Sequence, residues 1–90
     1  MKRIAAFGRR FERDTKLMRK RGKNMSKLEH IVNALIESEP LSEKFYDHKL
    51  AGEYVGYREC HVEPDWLLIY KLDGDNIFFG RTGTHSDLFE

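Results

Sequence analysis

The spacing of apolar residues changes once along this chain, and the change restricts the fold to helices followed by a sheet. Residues 7–36 repeat apolar side chains at the intervals of an amphipathic helix. From residue 54 onward, aromatic and β-branched residues form runs separated by short polar turns. These runs are Tyr54–Val62, Trp66–Leu72 and Ile77–Gly83. Such an order predicts an α+β protein with the helical pair packed on one face of a sheet.

Turn and cap residues set the limits of the predicted elements. Gly22 suits the end of a first helix, and Asn24 or Ser26 can cap a second. Arg3–Phe7 is expected to add an edge strand before the first helix, and residues 41–53 form a polar connection. The predicted order is β-α-α-β-β-β, with an N-terminal helical hairpin on a mainly antiparallel sheet.

Length and composition indicate one cytoplasmic domain, residues 1–90. No apolar run approaches the roughly 20 residues that span a bilayer, and the apolar stretch after the basic start is too short for a secretory signal. We therefore expect no membrane association. The single cysteine, Cys60, has no partner for an internal disulfide. We interpret it as a reduced, buried strand residue, with a reactive thiol as the alternative.

The net charge of +1 conceals a strongly basic N-terminal third. Residues 1–30 hold eleven Lys and Arg against three acids, whereas residues 31–90 hold five against twelve. At helical spacing four of the bases share one stripe, opposite Phe7, Phe11 and Met18. The stripe consists of Arg9, Arg13, Lys16 and Lys20. It predicts a surface that binds the phosphates of RNA, and an ordinary solvated helix face is the alternative.

Titratable and aromatic residues gather in the second half of the chain, where the predicted meander would bring them together. They are His48, His61, Asp65, Trp66, Arg81, His85 and Phe89. Cleavage of an RNA phosphodiester needs a base, an acid, a cation for the phosphorane and a flat surface for a displaced base. This group offers candidates for all four, so the sequence favours a ribonuclease that needs no metal and no cofactor.

Structural explanations compete with this hypothesis. Trp66 can be a core residue, Asp65 can cap a turn and Arg81 can pair with an acid such as Glu59. A zinc site is the chemical alternative, with His48, His61, His85 and Asp65 as its four ligands. No two of these ligands show a compact metal-binding spacing, and a nearby Arg81 would oppose a dication. We therefore predict no metal site.

The chain resembles, over nearly its full length, the YafQ family of bacterial type II toxins, which belongs to the RelE/ParE superfamily. Three segments carry the resemblance. They are Asp47–Leu50, Gly56–Leu72 and Arg81–Phe89. The resemblance implies a RelE-like fold and a ribosome-dependent endoribonuclease that cuts mRNA in the A site of the 70S ribosome. It also implies a cognate antitoxin as partner, and contact with operator DNA only through the antitoxin complex. The family's functional positions match the seven residues of the group named above.

The residues and the resemblance together give an expected mechanism. His61, His48 or Asp65 would take the proton of the 2′-hydroxyl, and His85 would protonate the leaving oxygen. Arg81 would stabilise the phosphorane, so that the products carry 2′,3′-cyclic phosphate and 5′-hydroxyl ends.

Binding roles complete this expectation. Trp66 and Phe89 would position a base, and the basic stripe would hold ribosomal RNA. The alternative function is a non-catalytic RelE/ParE-like protein that binds an antitoxin or another target such as gyrase. It would have no need of the histidines.

Overall fold

A computed structural model describes residues 2–89 of the chain. The elements in chain order are β1 (Ile4–Phe7), α1 (Arg9–Lys20), α2 (Met25–Ile36), β2 (His48–Lys49), β3 (Arg58–Glu63), β4 (Trp66–Asp73), β5 (Asn76–Gly83) and α3 (His85–Phe89). Five strands form one sheet in the order β1-β5-β4-β3-β2. Only the β1–β5 pair among these is parallel, so the predicted α+β class and mainly antiparallel sheet are confirmed.

The helical hairpin forms as its cap residues predict. Arg21 follows α1, and Gly22 then takes a positive φ of 81° that reverses the chain at low steric cost. The Asn24 side chain accepts a hydrogen bond from the backbone N–H of Ser26 at 3.2 Å and so caps α2. The connection between the two helices, residues 21–24, is only four residues long, which keeps them adjacent.

The central strand β4 is buried on both faces of the sheet. Trp66, Leu68 and Tyr70 pack with α1 and α2, whereas Leu67 and Ile69 pack on the opposite face against α3. Alternate residues of a strand point to opposite faces, so this double burial explains the unbroken apolar run at residues 66–70. The helix-free part of the second face is where the functional candidates lie.

Several predicted boundaries are corrected by the structure. Phe7 belongs to β1 rather than to the helix, and its ring stacks on Phe79 at 5.2 Å. The strand predicted to start at Tyr54 starts at Arg58, because Gly52–Tyr54 forms a turn of 3-10 helix. β2 and α3 were not predicted, since two and five residues are too few to show a period.

The open edge of β5 is completed by α1 rather than by a strand. β1 pairs with β5 only as far as Phe79, and a register shift leaves Gly80 without a partner in β4. Beyond this bulge the backbone N–H of Thr82 donates to the carboxylate of Asp14 at 3.1 Å. A helix side chain therefore takes the place of the missing strand, which brings α1 beside Arg81.

Cys60 is fully buried and free, as predicted. Burial raises the pKa of its thiol, so little reactive thiolate forms near neutral pH. Within residues 2–89 no helix has the length and apolar character needed to cross a membrane.

Candidate active site

Three of the four histidines converge on the sheet face opposite the helical hairpin. His48 lies on β2, His61 on β3 and His85 at the start of α3. The ring centroid of His61 is 6.4 Å from that of His48 and 5.9 Å from that of His85. Strand pairing and the short α3 thus place side by side three imidazoles that are up to 37 residues apart in sequence.

Glu59 is a member of this cluster that sequence reasoning did not propose as a functional residue. Its side chain is only 7% exposed, and its Oε2 atom lies 3.0 Å from His48 Nε2 and 3.8 Å from His61 Nε2. The sequence did hold a signal for it, because alternate residues of a strand share a face and Glu59 is two residues before His61. A buried carboxylate is rarely kept without a partner, and here its partners are the two imidazoles.

Hydrogen bonds at Nδ1 orient each of the three rings. His48 Nδ1 lies 2.7 Å from the carbonyl of Tyr46, His61 Nδ1 lies 3.2 Å from that of Pro64, and His85 Nδ1 lies 2.6 Å from Asp65 Oδ1. Each of these oxygens is an acceptor, so Nδ1 carries the hydrogen. Neutral His61 and His85 therefore have the lone pair on Nε2, where a proton can be taken up.

His48 differs from the other two because both of its ring nitrogens lie within hydrogen-bonding distance of an acceptor, whereas His61 Nε2 is 3.8 Å from Glu59. Its Nδ1–H donates to the Tyr46 carbonyl, and its Nε2 faces the Glu59 carboxylate. Only the doubly protonated imidazolium has a hydrogen for each. Because Glu59 occupies Nε2 of His48, this geometry suits a positioning role rather than that of a proton acceptor.

Asp65 contacts His85 through two hydrogen bonds to one oxygen. Oδ1 accepts from the backbone N–H of His85 at 2.9 Å and from its ring at 2.6 Å. The hydrogen bond from the backbone and then that from the ring hold the pKa of Asp65 below its usual range. A carboxylate so stabilised is a weak base, and it fixes the orientation of the imidazole beside it.

Arg81 sits at the border of the histidine cluster and pairs with Asp14. Its Nε donates to Asp14 Oδ2 at 2.7 Å and its Nη2 donates to Oδ1 at 3.3 Å. This pairing raises the pKa of Arg81, which stays cationic. The alternative partner, Glu59, lies on β3, and Ile69 of β4 stands between it and Arg81, in register with both. At two strand spacings the backbones of Arg81 and Glu59 are about 10 Å apart.

Trp66 cannot serve as the stacking surface that the sequence predicted. The residue is fully buried, its Nε1–H donates to Thr82 Oγ1 at 2.9 Å, and Lys23 Nζ lies over the ring at 5.9 Å. That prediction is wrong, because the alternation of β4 turns Trp66 toward the helices. Phe89 is exposed, with its centroid 6.3 Å from His85.

An exposed aromatic residue that the sequence reasoning passed over is Tyr46. It is 68% exposed, and its ring meets that of His61 edge-on at 5.7 Å. Nothing in the local sequence distinguishes it from a loop residue, since its exposure depends on how residues 41–47 pack against the rest of the chain.

The predicted basic stripe is exposed along α1. Arg9, Arg13, Lys16 and Lys20 are all solvent-accessible. The residues that directly follow them, at positions 10, 14, 17 and 21, form an adjoining stripe. In this adjoining stripe Asp14 contacts Arg81 and Arg21 contacts Asp87. α1 therefore runs beside β5 and α3, and its cations flank the border of the cluster rather than its centre.

A bidentate ion pair connects α1 to α3. Arg21 donates to Asp87 at 2.7 and 3.0 Å, and Asp87 also accepts from the backbone N–H of Thr84 at 2.9 Å. These bonds, with that from Arg21 the strongest, hold the pKa of Asp87 far below its usual range. Because α3 begins at His85, the pair helps to fix the position of that imidazole.

The zinc alternative finds no geometric support in the part of the chain that the structure describes. Between residues 2 and 89, no three His, Cys, Asp or Glu side chains are arranged so that they could hold a metal ion.

Comparison with known proteins places the chain among bacterial toxins. The family model described as "Bacterial toxin of type II toxin-antitoxin system, YafQ" matches residues 3–90. The mRNA interferase toxin YafQ of Escherichia coli K12 is 46% identical over 84 residues, which cover 92% of this chain and 91% of that protein.

Solved structures agree with this result. The E. coli DinJ-YafQ toxin-antitoxin complex contains a chain with a TM-score of 0.92 and 44% identity, with full coverage of both chains. A metal-bound toxin from Helicobacter pylori has a TM-score of 0.87 and 36% identity, with coverage of 99% of this chain and all of that one.

Proposed function

The chain belongs to the YafQ family of bacterial type II toxins, and we propose from this premise that it is the toxin of a toxin–antitoxin pair and cuts mRNA. The E. coli relative is an mRNA interferase, which is an endoribonuclease, and we propose the same activity for this chain. The observation that carries the proposal is the cluster of three imidazoles with separately oriented rings. A protein that only bound a partner would have no use for such an arrangement.

His61 is the general base in this mechanism. Its Nδ1–H donates to the Pro64 carbonyl, so Nε2 can accept the proton of the 2′-hydroxyl. The 2′-oxygen then attacks the adjacent phosphorus in line. His48, one of the expected bases, supports this step as a positioning residue, because Tyr46 and Glu59 occupy both of its ring nitrogens.

His85 is the general acid. The P–O5′ bond breaks as a proton from His85 Nε2 reaches the leaving oxygen, which gives a 2′,3′-cyclic phosphate and a 5′-hydroxyl. Asp65, the third expected base, instead acts on His85 as a positioning residue, since its carboxylate accepts from Nδ1 and fixes the ring. The ring centroids of acid and base are 5.9 Å apart, so both imidazoles border the same surface.

Arg81 supplies positive charge at the border of the site. Asp14 accepts from two of its five N–H donors, and the others can meet an oxygen of the phosphorane. Phe89, exposed beside His85, is the candidate to stack on a neighbouring base. No step of this mechanism requires a metal ion or a cofactor.

The ribosome is the proposed setting of the reaction. Arg9, Arg13, Lys16 and Lys20 form an exposed cationic surface beside the site, as contact with ribosomal RNA requires. Docking of α1 on the 70S ribosome would present mRNA in the A site to the histidines. This target places the protein in the cytoplasm.

A cognate antitoxin is the proposed protein partner, because the E. coli relative is found in complex with DinJ. Contact with operator DNA would arise only within such a complex.

Ribosome-programmed cleavage tests the proposal directly. The purified chain is added to an in vitro translation reaction, and the ends of the mRNA are mapped in parallel with mRNA lacking ribosomes. We expect codon-phased cuts with cyclic phosphate ends only when ribosomes are present. His85→Ala should lower the cleavage rate by about 10²–10⁴-fold, which is the usual contribution of a positioned acid or base. Uncut mRNA, or equal cutting by His85→Ala with an unchanged circular dichroism spectrum, would contradict it.

A further inference from the structure

A large open cavity adjoins the histidine cluster on the side away from Arg81. It has a volume of about 1010 Å³ and lies between α2 and residues 44–48. His48 and His61 form part of its wall, so the cavity and the cluster are continuous. A polymer held with one bond between His61 and His85 would therefore extend into this space.

Tyr46 presents a flat aromatic surface at the junction between cavity and cluster. Its backbone has a φ of 49°, in the left-handed region that disfavours residues other than glycine. The same backbone directs its carbonyl to His48 Nδ1 at 2.7 Å. One conformation thus fixes a cluster histidine and holds the tyrosine ring in solvent, edge-on to His61.

The rim of the cavity is cationic. Lys27 and Lys44 line it, and the single acid in the lining, Glu63, is paired with Lys27 at 3.0 Å and Lys23 at 3.4 Å. The wall below is apolar and includes Val62. An aromatic face, apolar walls and excess positive charge match a nucleotide, whose base can stack while its phosphate meets a lysine.

We propose that this cavity is a nucleotide-binding subsite, in which the nucleotide next to the scissile phosphate stacks its base on Tyr46 and places its outer phosphate near Lys44. The proposal rests on the proposed ribonuclease function and adds to it where the RNA chain lies. Tyr46 takes the stacking role for which the sequence had suggested the buried Trp66. An exposed aromatic ring beside a lysine favours RNA, which offers bases and phosphates together, over a peptide segment of an antitoxin, which is the other polymer that such a groove can hold.

Steady-state cleavage on programmed ribosomes tests the stack. Tyr46→Leu removes the ring and keeps a side chain of similar bulk with the same left-handed backbone, so KM should rise about ten-fold while kcat changes less. Tyr46→Phe retains the ring, so its KM should stay close to that of the wild type. The matched control is Phe78→Leu, which makes the same ring deletion at an exposed site on β5, outside the cavity. An unchanged KM for Tyr46→Leu would overturn the subsite.

A second measurement separates this proposal from the ribonuclease function itself. The full chain is titrated by NMR with a 2′-O-methyl RNA trinucleotide, which cannot be cut and needs no ribosome. We expect shifts of the Tyr46 ring and of Lys44. Such shifts together with uncut mRNA on ribosomes would contradict the enzyme but not the subsite. Shifts confined to other surfaces, or none at millimolar RNA, would overturn the subsite, as would a Tyr46→Leu variant impaired only in its inhibition by the antitoxin.

Discussion

At the residue scale, function depends on which ring nitrogen of each histidine is already occupied. Backbone carbonyls accept hydrogen bonds from Nδ1–H of His48 and His61, and Asp65 accepts one from Nδ1–H of His85. The remaining nitrogens differ because Glu59 occupies one of them, on His48. Identical side chains thereby take different roles in the proposed mechanism, with His61 as the base, His85 as the acid and His48 as a positioning residue.

Glu59→Gln tests how far the buried carboxylate sets these roles. Glutamine has the same shape but no charge, so it removes the carboxylate that contacts His48 Nε2 and weakens the contact that orients this ring. We expect the cleavage rate to fall about ten-fold or more while the fold is retained. Cleavage kinetics with thermal unfolding measure both effects. Glu29→Gln, an exposed change on α2, is the matched control. Equal activity of the two variants would mean that Glu59 is only structural.

At the element scale, α1 has two tasks, and the sequence predicted only the first. Its basic stripe is exposed, as the helical spacing predicts. The adjoining stripe completes the β5 edge through Asp14 and holds α3 through Arg21. Nothing in the local sequence distinguishes Asp14 from a solvated acid, and only its contact with Arg81, 67 residues away, reveals its role.

The ion pair between α1 and α3 predicts a pH-dependent difference in stability. Arg21 lowers the pKa of Asp87 in the folded state, while the unfolded carboxyl has a pKa near 3.9. The stabilisation is therefore fully present above about pH 4 and is lost as the pH falls toward the lower folded pKa. Tm should thus be higher for wild type than for Asp87→Asn at pH 7, and the difference should shrink below about pH 4. A pH-independent difference between the two melting curves would contradict this assignment.

At the scale of the whole molecule, the sheet separates a core from a functional surface. The helical pair covers one face, and the opposite face carries the histidine cluster between the short β2 and α3. Trp66 lies wholly in the core, where it joins β4 to β5 through Thr82. Its neighbour Asp65 is exposed and contacts His85, so adjacent residues serve opposite faces.

Trp66→Phe distinguishes a core role from a substrate role. Phenylalanine leaves a cavity and removes the hydrogen bond that Thr82 Oγ1 accepts from the indole, while the hydroxyl keeps its bond to the Leu67 carbonyl. We therefore expect a loss of about 2 kcal/mol in the free energy of unfolding. Cleavage by the folded fraction should stay close to that of wild type, because the ring does not reach the surface. Denaturant unfolding and cleavage kinetics at low temperature test both parts. A large rise in KM with unchanged stability would restore the stacking role.

By itself the sequence determined the features that depend on local order. Helical spacing, the Gly22 and Asn24 caps and the strand runs identify the hairpin and the meander, because periodicity and capping act over a few residues. His48, His61 and His85 could be identified as candidates from the sequence, because few residue types transfer protons near neutral pH.

Only the tertiary structure decided which of these groups meet and which are buried. The partnership of Glu59 with two histidines, the pairing of Arg81 with Asp14, the burial of Trp66 and the exposure of Tyr46 all depend on contacts between distant segments. Local sequence cannot specify them, because a side chain's partner across a sheet is set by strand register and by the elements packed on each face.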